Sequence, residues 1–324
     1  MMSKFFRTAI LVLFSLTCVF ATAAPAANAA ELLADGRIDT AVAELSAQLK
    51  ANPQDAEAAH LLSRAYFAVQ RWDDSIANGE RAVNLQPGNG LFHLWLGRAY
   101  GEKAGEANFI AAIDLAKKVR EQFEAAVQLA PSNSAAREDL AQFYVEAPGF
   151  IGGGKDKARA QADILMRTDP ARAHWVYAVI AQKDKKYDLA EQQFKLALQA
   201  GGYHTKQWLD LASFYRRRHR YQDMEQAIAN GAAVSANQRY LLLDAAEILY
   251  AAGRNFQGAV DYLRTYINSG DPNEESPVFR AHYLLGAFLE KMGDSAGAIQ
   301  EYRESLAMAS RFQKARDALK RLQQ

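Results

Sequence analysis

The sequence has 324 residues, of which 50% are hydrophobic, and this is enough for an extensive core. Its 38 Lys and Arg residues balance 37 Asp and Glu residues, so no net charge draws the chain to nucleic acid or to an anionic membrane. With 8 prolines and 20 glycines, the composition also differs from that of a disordered chain. We therefore expect a folded protein with no nucleic-acid partner.

Residues 1–29 have the layout of a secretory signal peptide. A short basic start is followed by the apolar run 9–20 and by two small-residue motifs, which end at Ala23 and Ala29 and are alternative cleavage sites. The apolar run is shorter than the ~20 residues that span a bilayer, although an uncleaved anchor is an alternative. The segment predicts an exported protein, periplasmic or secreted, with no integral membrane span after cleavage.

The chain has one cysteine, Cys18, and it lies inside that apolar run. The residues before it, Ser15 and Thr17, do not fit the pattern of a lipid-modified cysteine. Signal cleavage would therefore leave a mature chain with no disulfide, no thiol nucleophile and no cysteine metal ligand.

A 34-residue repeat then extends through almost all of the chain. Residues 56–89 and 205–238 align without a gap, so that Leu62 and Tyr66 correspond to Leu211 and Tyr215. The apolar positions recur at the spacing of one helix stripe, and prolines end several units. A fixed period of this length indicates helical units stacked in a row.

The repeats resemble those of the tetratricopeptide repeat family, whose unit is a pair of antiparallel helices. The family pattern in the first helix is Leu, a small residue and Tyr, and it is found at Leu62-Ser63…Tyr66, Leu96-Gly97…Tyr100, Leu140-Ala141…Tyr144 and Leu211-Ala212…Tyr215. Small residues also stand where the second helix crosses the first, at Ala41, Ser75, Ala158, Ala190, Ala259 and Ala298. The resemblance implies an all-α, right-handed superhelical solenoid of antiparallel helix pairs.

This resemblance divides the chain into a signal peptide at 1–29, a solenoid at 30–312 and a capping helix at 313–324. The solenoid would contain a truncated first unit and about seven full units. The full units are expected at 56–89, 90–133, 134–170, 171–204, 205–238, 239–278 and 279–312.

Three units are longer than the period, and insertions in solenoids often carry the specific function. Residues 106–118 keep helical apolar spacing and predict an inserted helix that projects beyond the stack. Residues 147–154 form a glycine-rich loop, and 269–277 form a long exit from the unit at 239–278.

The glycine-rich loop continues into Lys155 and matches the core of a phosphate-binding loop. However, Asp156 stands where Ser or Thr would hold magnesium, and a helix rather than a strand precedes the loop. We therefore expect no nucleotide there. The loop is either a plain turn or an exposed apolar contact made by Phe150 and Ile151.

The histidines indicate no metal site and no cofactor. His93, His174 and His282 occupy the same slot in three different units, where a structural role between adjacent helices is expected. The remaining histidines show no spacing typical of zinc ligands. No catalytic residues are recognisable, so the sequence predicts a protein that is not an enzyme.

In tetratricopeptide proteins the first helix of each unit lines a concave groove. By that resemblance, the groove residues here are His60, Arg64, Phe67, Arg98, Glu138, Trp175, Lys206, Arg216, Arg217 and Tyr250. The mixture of cations and aromatic rings suits an extended peptide with acidic groups. The basic run 216–220 could bind such groups, or it could be a solvated helix end. The Lys/Asn clamp that some family members use for a terminal carboxylate is not recognisable.

The sequence thus favours an interaction scaffold that binds a protein or peptide in its groove. A cell-envelope assembly or secretion accessory factor, acting through the inserted helix 106–118 and the loop 147–154, is the alternative. An enzyme with an unrecognised site is a third hypothesis.

Overall fold

The computed structural model describes residues 25–271 and 273–324, and all regular structure in these ranges is helical. The α-helices are α1 Pro25–Ala34, α2 Ile38–Ala51, α3 Ala56–Ala68, α4 Trp72–Leu85, α5 Gly90–Glu106, α6 Phe109–Leu129, α7 Ser134–Glu146, α8 Lys155–Thr168, α9 Pro170–Lys183, α10 Tyr187–Ala200, α11 Thr205–Arg217, α12 Tyr221–Ala233, α13 Leu241–Ala252, α14 Phe256–Ile267, α15 Val278–Lys291, α16 Ser295–Met308 and α17 Gln313–Leu322. A 3₁₀ turn spans Gly149–Ile151.

Each helix packs against the next one along the chain, and the first helices of successive units also touch, as α7 and α9 do. The elements from α1 to α16 therefore form consecutive helix pairs, and α17 packs on the last pair. The predicted all-α solenoid of helix pairs is confirmed.

Polar residues explain where several of the helices begin. An Asp or Asn side chain accepts a hydrogen bond from a backbone N–H in the first turn, and each such cap contributes about 1 kcal/mol. The capping residues are Asp55, Asn89, Asn108, Asn133, Asp169, Asn255 and Asp294.

The two helices of a unit approach most closely at the predicted small-residue positions. A methyl group on Gly97 of α5 would lie only 2.6 Å from ring atoms of Phe123 on α6, so no larger residue fits without movement. In the preceding unit, Ser63 Oγ donates a 2.7 Å hydrogen bond to the Ser75 carbonyl where α3 crosses α4. The small residues thus set the spacing within each pair.

Tyrosines join three of the units to the unit before them. In three units the tyrosine hydroxyl of the first helix donates a hydrogen bond to a glutamate on the second helix of the preceding unit, in the pairs Tyr100–Glu80, Tyr144–Glu124 and Tyr215–Glu191. Burial and then the glutamate raise the pKa of each tyrosine, so the hydroxyl stays protonated and donates. These bonds hold neighbouring units in register.

The first helix pair also lies against the last units of the stack. The Asp39 carboxylate of α2 accepts a 2.8 Å hydrogen bond from the Ser310 backbone N–H, just after α16. Phe279 and Phe312 are buried in the same apolar cluster as Leu33 and Leu45 from the first helix pair. The stack therefore turns far enough for its two ends to meet.

The inserted helix predicted at 106–118 is interrupted by a turn near its start. Helix α5 continues to Glu106, Asn108 caps α6, and α6 then runs for 21 residues to Leu129. The insertion is therefore a lengthened hairpin that turns within the predicted helix. Phe109 and Ile110 lie at its tip, and both are 76% exposed.

The structure corrects the predicted contact pair in the loop 147–154. Arg120 Nη1 donates a 2.8 Å hydrogen bond to the Ile151 carbonyl, which holds the 3₁₀ turn against α6. Ile151 is consequently buried, whereas Phe150 is 70% exposed. Lys155, the lysine of the phosphate-loop match, forms an ion pair with Asp184.

Helix α1 overlaps the predicted signal peptide at residues 25–29, while residues 1–24 lie outside the described part. Ala29 is fully buried, in the same cluster as Leu33. Cleavage after Ala23 would keep α1 whole, whereas cleavage after Ala29 would remove half of it. Across 25–271 and 273–324, the helices are all too short or too polar to cross a bilayer.

We expect Gly153→Ala to destabilise the fold by roughly 1–3 kcal/mol, because the added Cβ must displace backbone. At the present geometry that atom would lie 1.8 Å from the Ala147 carbonyl oxygen. Gly149→Ala in the same loop is the control, since its added Cβ meets nothing within 4 Å. Urea unfolding followed by circular dichroism measures both variants, and equal midpoints would contradict the loop geometry.

Candidate functional site

The first helices of the N-terminal units line a concave groove with a volume of about 790 Å³. Helix α3 contributes Arg64 and Phe67, α5 contributes Trp95 and Arg98, and α7 contributes residues such as Asp139. These side chains point the same way because they occupy equivalent faces of equivalent helices. The opposite wall comes from the segment between α14 and α15 and from the start of α15.

Two arginines lie over one tryptophan on the wall of this groove. The guanidinium carbons of Arg64 and Arg98 are 4.5 Å and 4.9 Å from the centre of the Trp95 ring. Phe67 packs its edge against the same ring, with the centroids 5.5 Å apart. Cation–π contacts of this kind contribute about 0.5–2 kcal/mol each and hold the guanidinium planes in place. We call this arrangement the Arg64–Trp95–Arg98 stack.

Carboxylates from other parts of the chain meet both arginines of the stack. Arg98 Nε donates a 2.7 Å hydrogen bond to Asp139 on α7. Arg64 forms an ion pair with Glu274, and Arg98 Nη1 lies 3.6 Å from a Glu275 oxygen. The groove is therefore a surface of matched charges and aromatic rings, with a segment of the chain itself inside it.

A second part of the groove, of about 400 Å³, lies between α11 and α13. Lys206 and Arg216 line it, together with Asp244 and Glu247. Lys206 Nζ pairs with Asp210 one helical turn away, at 2.9 Å. The predicted cation is thus already neutralised by an acid from its own helix.

Asp244 is the most perturbed carboxyl group of this second part. Burial, and then the nearby Glu247 carboxylate, raise its pKa to about 7. Arg280 and Lys206 oppose this shift without cancelling it. Ser276 Oγ, at 3.4 Å, donates a long hydrogen bond to the same carboxyl group.

The predicted groove residues thus separate into distinct places. Arg64, Phe67 and Arg98 line the first part of the groove, and Lys206 and Arg216 line the second. Trp175 is half-buried between two core clusters, and Tyr250 is partly exposed with its ring edge-on to Phe288. Arg217 is exposed and donates a hydrogen bond to Gln182 on α9.

Two predicted groove residues are buried instead. His60 is 1% exposed and stacks on Phe92 with ring centroids 4.6 Å apart. Burial and then the charge of Arg64 lower its pKa to about 3, so the ring is neutral. Glu138 is also buried, and it accepts a 2.7 Å hydrogen bond from Arg172 on α9. Both side chains position neighbouring helices rather than face a partner.

The basic run 216–220 does not form one patch. The guanidinium carbon of Arg218 lies 3.7 Å from the centre of the Tyr187 ring. Arg220 pairs with both Glu191 and Asp223. These two cations therefore tie α11 and α12 to α10, and Arg216 alone of the run lines the groove.

The histidines in the shared slot connect the two helices of their own units. His93 is hydrogen-bonded to Gln122 at 2.7 Å, His174 to Gln193 at 2.8 Å and His282 to Glu301 at 2.7 Å, in each case through Nδ1. This is the structural role that the sequence predicts. Among the residues that the structure describes, no three His, Cys, Asp or Glu side chains are placed to hold a metal ion.

Sequence reasoning missed Trp95, Asp139 and the glutamates at 274 and 275. Trp95 stands one turn before Arg98, a spacing that places both on one helix face. Asp139 occupies the equivalent face of α7, so aligning the repeats would have placed it in the groove as well. Glu274 could not be found in this way, because 210 residues separate it from Arg64.

A family model supports the tetratricopeptide resemblance over part of the chain. The family model of the tetratricopeptide repeat matches residues 26–90 and 243–311. The chain is similar to the structure of TTC0263, a thermophilic protein of the same repeat class from Thermus thermophilus, with 21% identity over 59% of this chain and 96% of that one and a TM-score of 0.48.

A tetratricopeptide repeat protein from Parabacteroides merdae is 13% identical over 92% of this chain and 97% of that one, with a TM-score of 0.46. The structure of MamA is 22% identical over 51% of this chain and 89% of that one, with a TM-score of 0.41. No curated protein sequence matches the chain significantly.

We expect the stability of Asp244→Asn relative to the native chain to be greater at pH 8 than at pH 5. The pKa of Asp244 is raised in the folded state, so folding loses stability as pH rises from the unfolded pKa near 4 through about 7. The variant should remove a loss of roughly 1–3 kcal/mol between pH 5 and pH 8.

Urea unfolding at both pH values tests this expectation. Asp261→Asn is the matched control, because Asp261 is an exposed carboxylate on the neighbouring helix α14. An Asp244→Asn variant with the same pH dependence as the native chain would show that Asp244 ionises normally.

Proposed function

We propose that this protein is a non-enzymatic scaffold that binds a protein or an extended peptide in its concave groove. The observation that carries the proposal is the Arg64–Trp95–Arg98 stack. Its two guanidinium groups are held in place and already pair with carboxylates of the chain itself inside the groove. Arginine and tryptophan are the residues most enriched at the energetic centres of protein interfaces. A partner chain would pair its own acidic groups with the two arginines, in place of the carboxylates that pair with them now. Its flat apolar groups would pack on the stack.

The chemistry of the groove suits selective binding more than strong attraction. Each guanidinium offers parallel donors that match a carboxylate, and the indole face adds apolar contact without a further charge. Because Asp139 already neutralises part of Arg98, the partner must place its acidic groups accurately to gain energy. This favours a defined peptide sequence over any anionic surface.

We propose further that the chain is exported and that it acts in the periplasm or outside the cell. Support comes from the signal-peptide layout of residues 1–29. Cleavage after Ala23 leaves α1 whole and keeps Ala29 in the core. Cleavage after Ala29 would expose the cluster around Leu33.

We expect the mature protein from an envelope or culture fraction to begin at Ala24. Intact-mass spectrometry and N-terminal sequencing of the native-length gene product check this. A chain that begins at Ala30 would contradict the structural argument for cleavage after Ala23. A chain that retains Met1 in the cytoplasm would contradict export.

A second candidate function is that of an envelope assembly or secretion accessory factor that uses surfaces outside the groove. The exposed Phe109 and Ile110 at the tip of the long hairpin favour it, and so does the exposed Phe150. Large apolar side chains at the tips of projecting elements commonly meet a partner.

Affinity capture from an envelope extract with the mature chain, followed by mass spectrometry, separates the two candidates. We expect Arg64→Gln/Arg98→Gln to reduce capture of the principal partner at least tenfold, because glutamine keeps a donor but loses the charge and the planar fork. Phe109→Ser/Ile110→Ser should leave that capture unchanged. The reverse pattern would replace the groove by the hairpin tip as the binding surface.

A further inference from the structure

The segment Asn273–Pro277, between α14 and α15, lies in the first part of the groove. Glu274 forms an ion pair with Arg64, and its side chain is only 16% exposed. Glu275 follows with an oxygen 3.6 Å from Arg98 Nη1, although its side chain is 68% exposed. Two adjacent glutamates thus meet the two arginines of the stack.

The rest of the segment is built to present these glutamates. Asn273 Oδ1 accepts hydrogen bonds from the backbone N–H groups of Glu275 and Ser276, at 2.9 Å and 3.2 Å. The hydroxyl of the buried Tyr266 on α14 donates to the Ser276 carbonyl. The segment is therefore an ordered turn anchored on α14, with its acidic side directed into the groove.

The contact between this turn and the stack is incomplete. Arg64 Nε and Glu274 Oε1 are both buried and have no hydrogen-bond partner within the described ranges. Arginine and carboxylate pair best through two parallel hydrogen bonds, and a buried polar atom without a partner costs about 1–3 kcal/mol. Arg98 is also shared, since Asp139 holds its Nε at 2.7 Å. A better-placed carboxylate from outside could therefore replace Glu274.

We propose that Asn273–Pro277 is an intramolecular ligand of the groove, and that the partner bound there is a peptide with two adjacent carboxylates that displaces it. This inference rests on the proposed groove-binding function and names the partner's chemistry. A tethered segment competes at a high effective concentration, so it lowers the apparent affinity of every ligand that needs the same arginines. Only a peptide that pairs with both arginines more completely than the turn does will bind.

The test measures binding of a fluorescein-labelled peptide with the sequence of residues 269–278 by fluorescence anisotropy. The chain variant Glu274→Gln/Glu275→Gln keeps the size of the turn and removes its charge, so the internal competitor is weakened. We expect this variant to bind the peptide at least tenfold more tightly than the native chain. The same peptide with glutamine at both glutamate positions should bind neither protein.

Two further variants show whether the effect belongs to the groove. Asp156→Asn/Asp188→Asn removes two negative charges from exposed sites on α8 and α10, and it should bind the peptide as the native chain does. Arg64→Gln/Arg98→Gln in the Glu274→Gln/Glu275→Gln background should lose binding. Equal affinity of the native chain and the Glu274→Gln/Glu275→Gln variant, or tight binding of the glutamine peptide, would overturn the proposal.

A second measurement uses the native chain alone and so does not depend on how any variant folds. Saturation with the unlabelled acidic peptide should speed hydrogen–deuterium exchange at the amides of Glu275 and Ser276, because the displaced turn loses the cover of the groove and is held only by its own bonds to Asn273. Unchanged exchange at saturation would overturn the displacement. Capture of a partner could still depend on Arg64 and Arg98 when both the peptide-binding test and the exchange test fail. In that case the scaffold function stands, and the proposal that Asn273–Pro277 is an intramolecular ligand is wrong.

Discussion

The structure depends on the close approach of the two helices in each unit. At Gly97 there is room for a hydrogen atom and no more, because Phe123 of α6 fills the space beyond it. Trp95 and Arg98 lie on the same helix as Gly97, within one turn of it, so the spacing of α5 and α6 also fixes where the stack stands. A bulkier residue would push α5 and α6 apart and so displace the stack. The binding surface is thus a direct product of core packing.

The groove is also shaped by the way its charges are neutralised. Most of the cations in the groove form an ion pair with a carboxylate on the same helix or on a nearby one. Examples are Arg98 with Asp139 and Lys206 with Asp210. Pairing of this kind keeps long side chains in fixed rotamers, which lowers the entropy that a partner must remove on binding. Asp244 is the exception, because burial and the nearby Glu247 make its negative charge costly. The concave surface is ordered before any ligand arrives.

The sequence predicted the helix pairs well because their signals are local. Leu211 and Tyr215 recur at fixed spacing, and the small residues mark the helix crossings. The turn at Asn108 was missed because apolar spacing continues through it, although Asn is a strong cap. Glu274 could not be placed, since its surroundings depend on how far the stack turns. Register within a unit can be read from periodicity, whereas contacts between distant units arise from small rotations summed over the stack.

The contact between the two ends changes how this chain can fold. In an open solenoid each unit touches its neighbours alone, so the end units fray first and stability is nearly a sum of local terms. Here Asp39 and Ser310, 271 residues apart, are hydrogen-bonded, and Phe312 shares a cluster with Leu33. Neither terminal unit can open without exposing apolar surface on the other. Closure raises the contact order and slows folding, but it couples the repeats into a more cooperative whole.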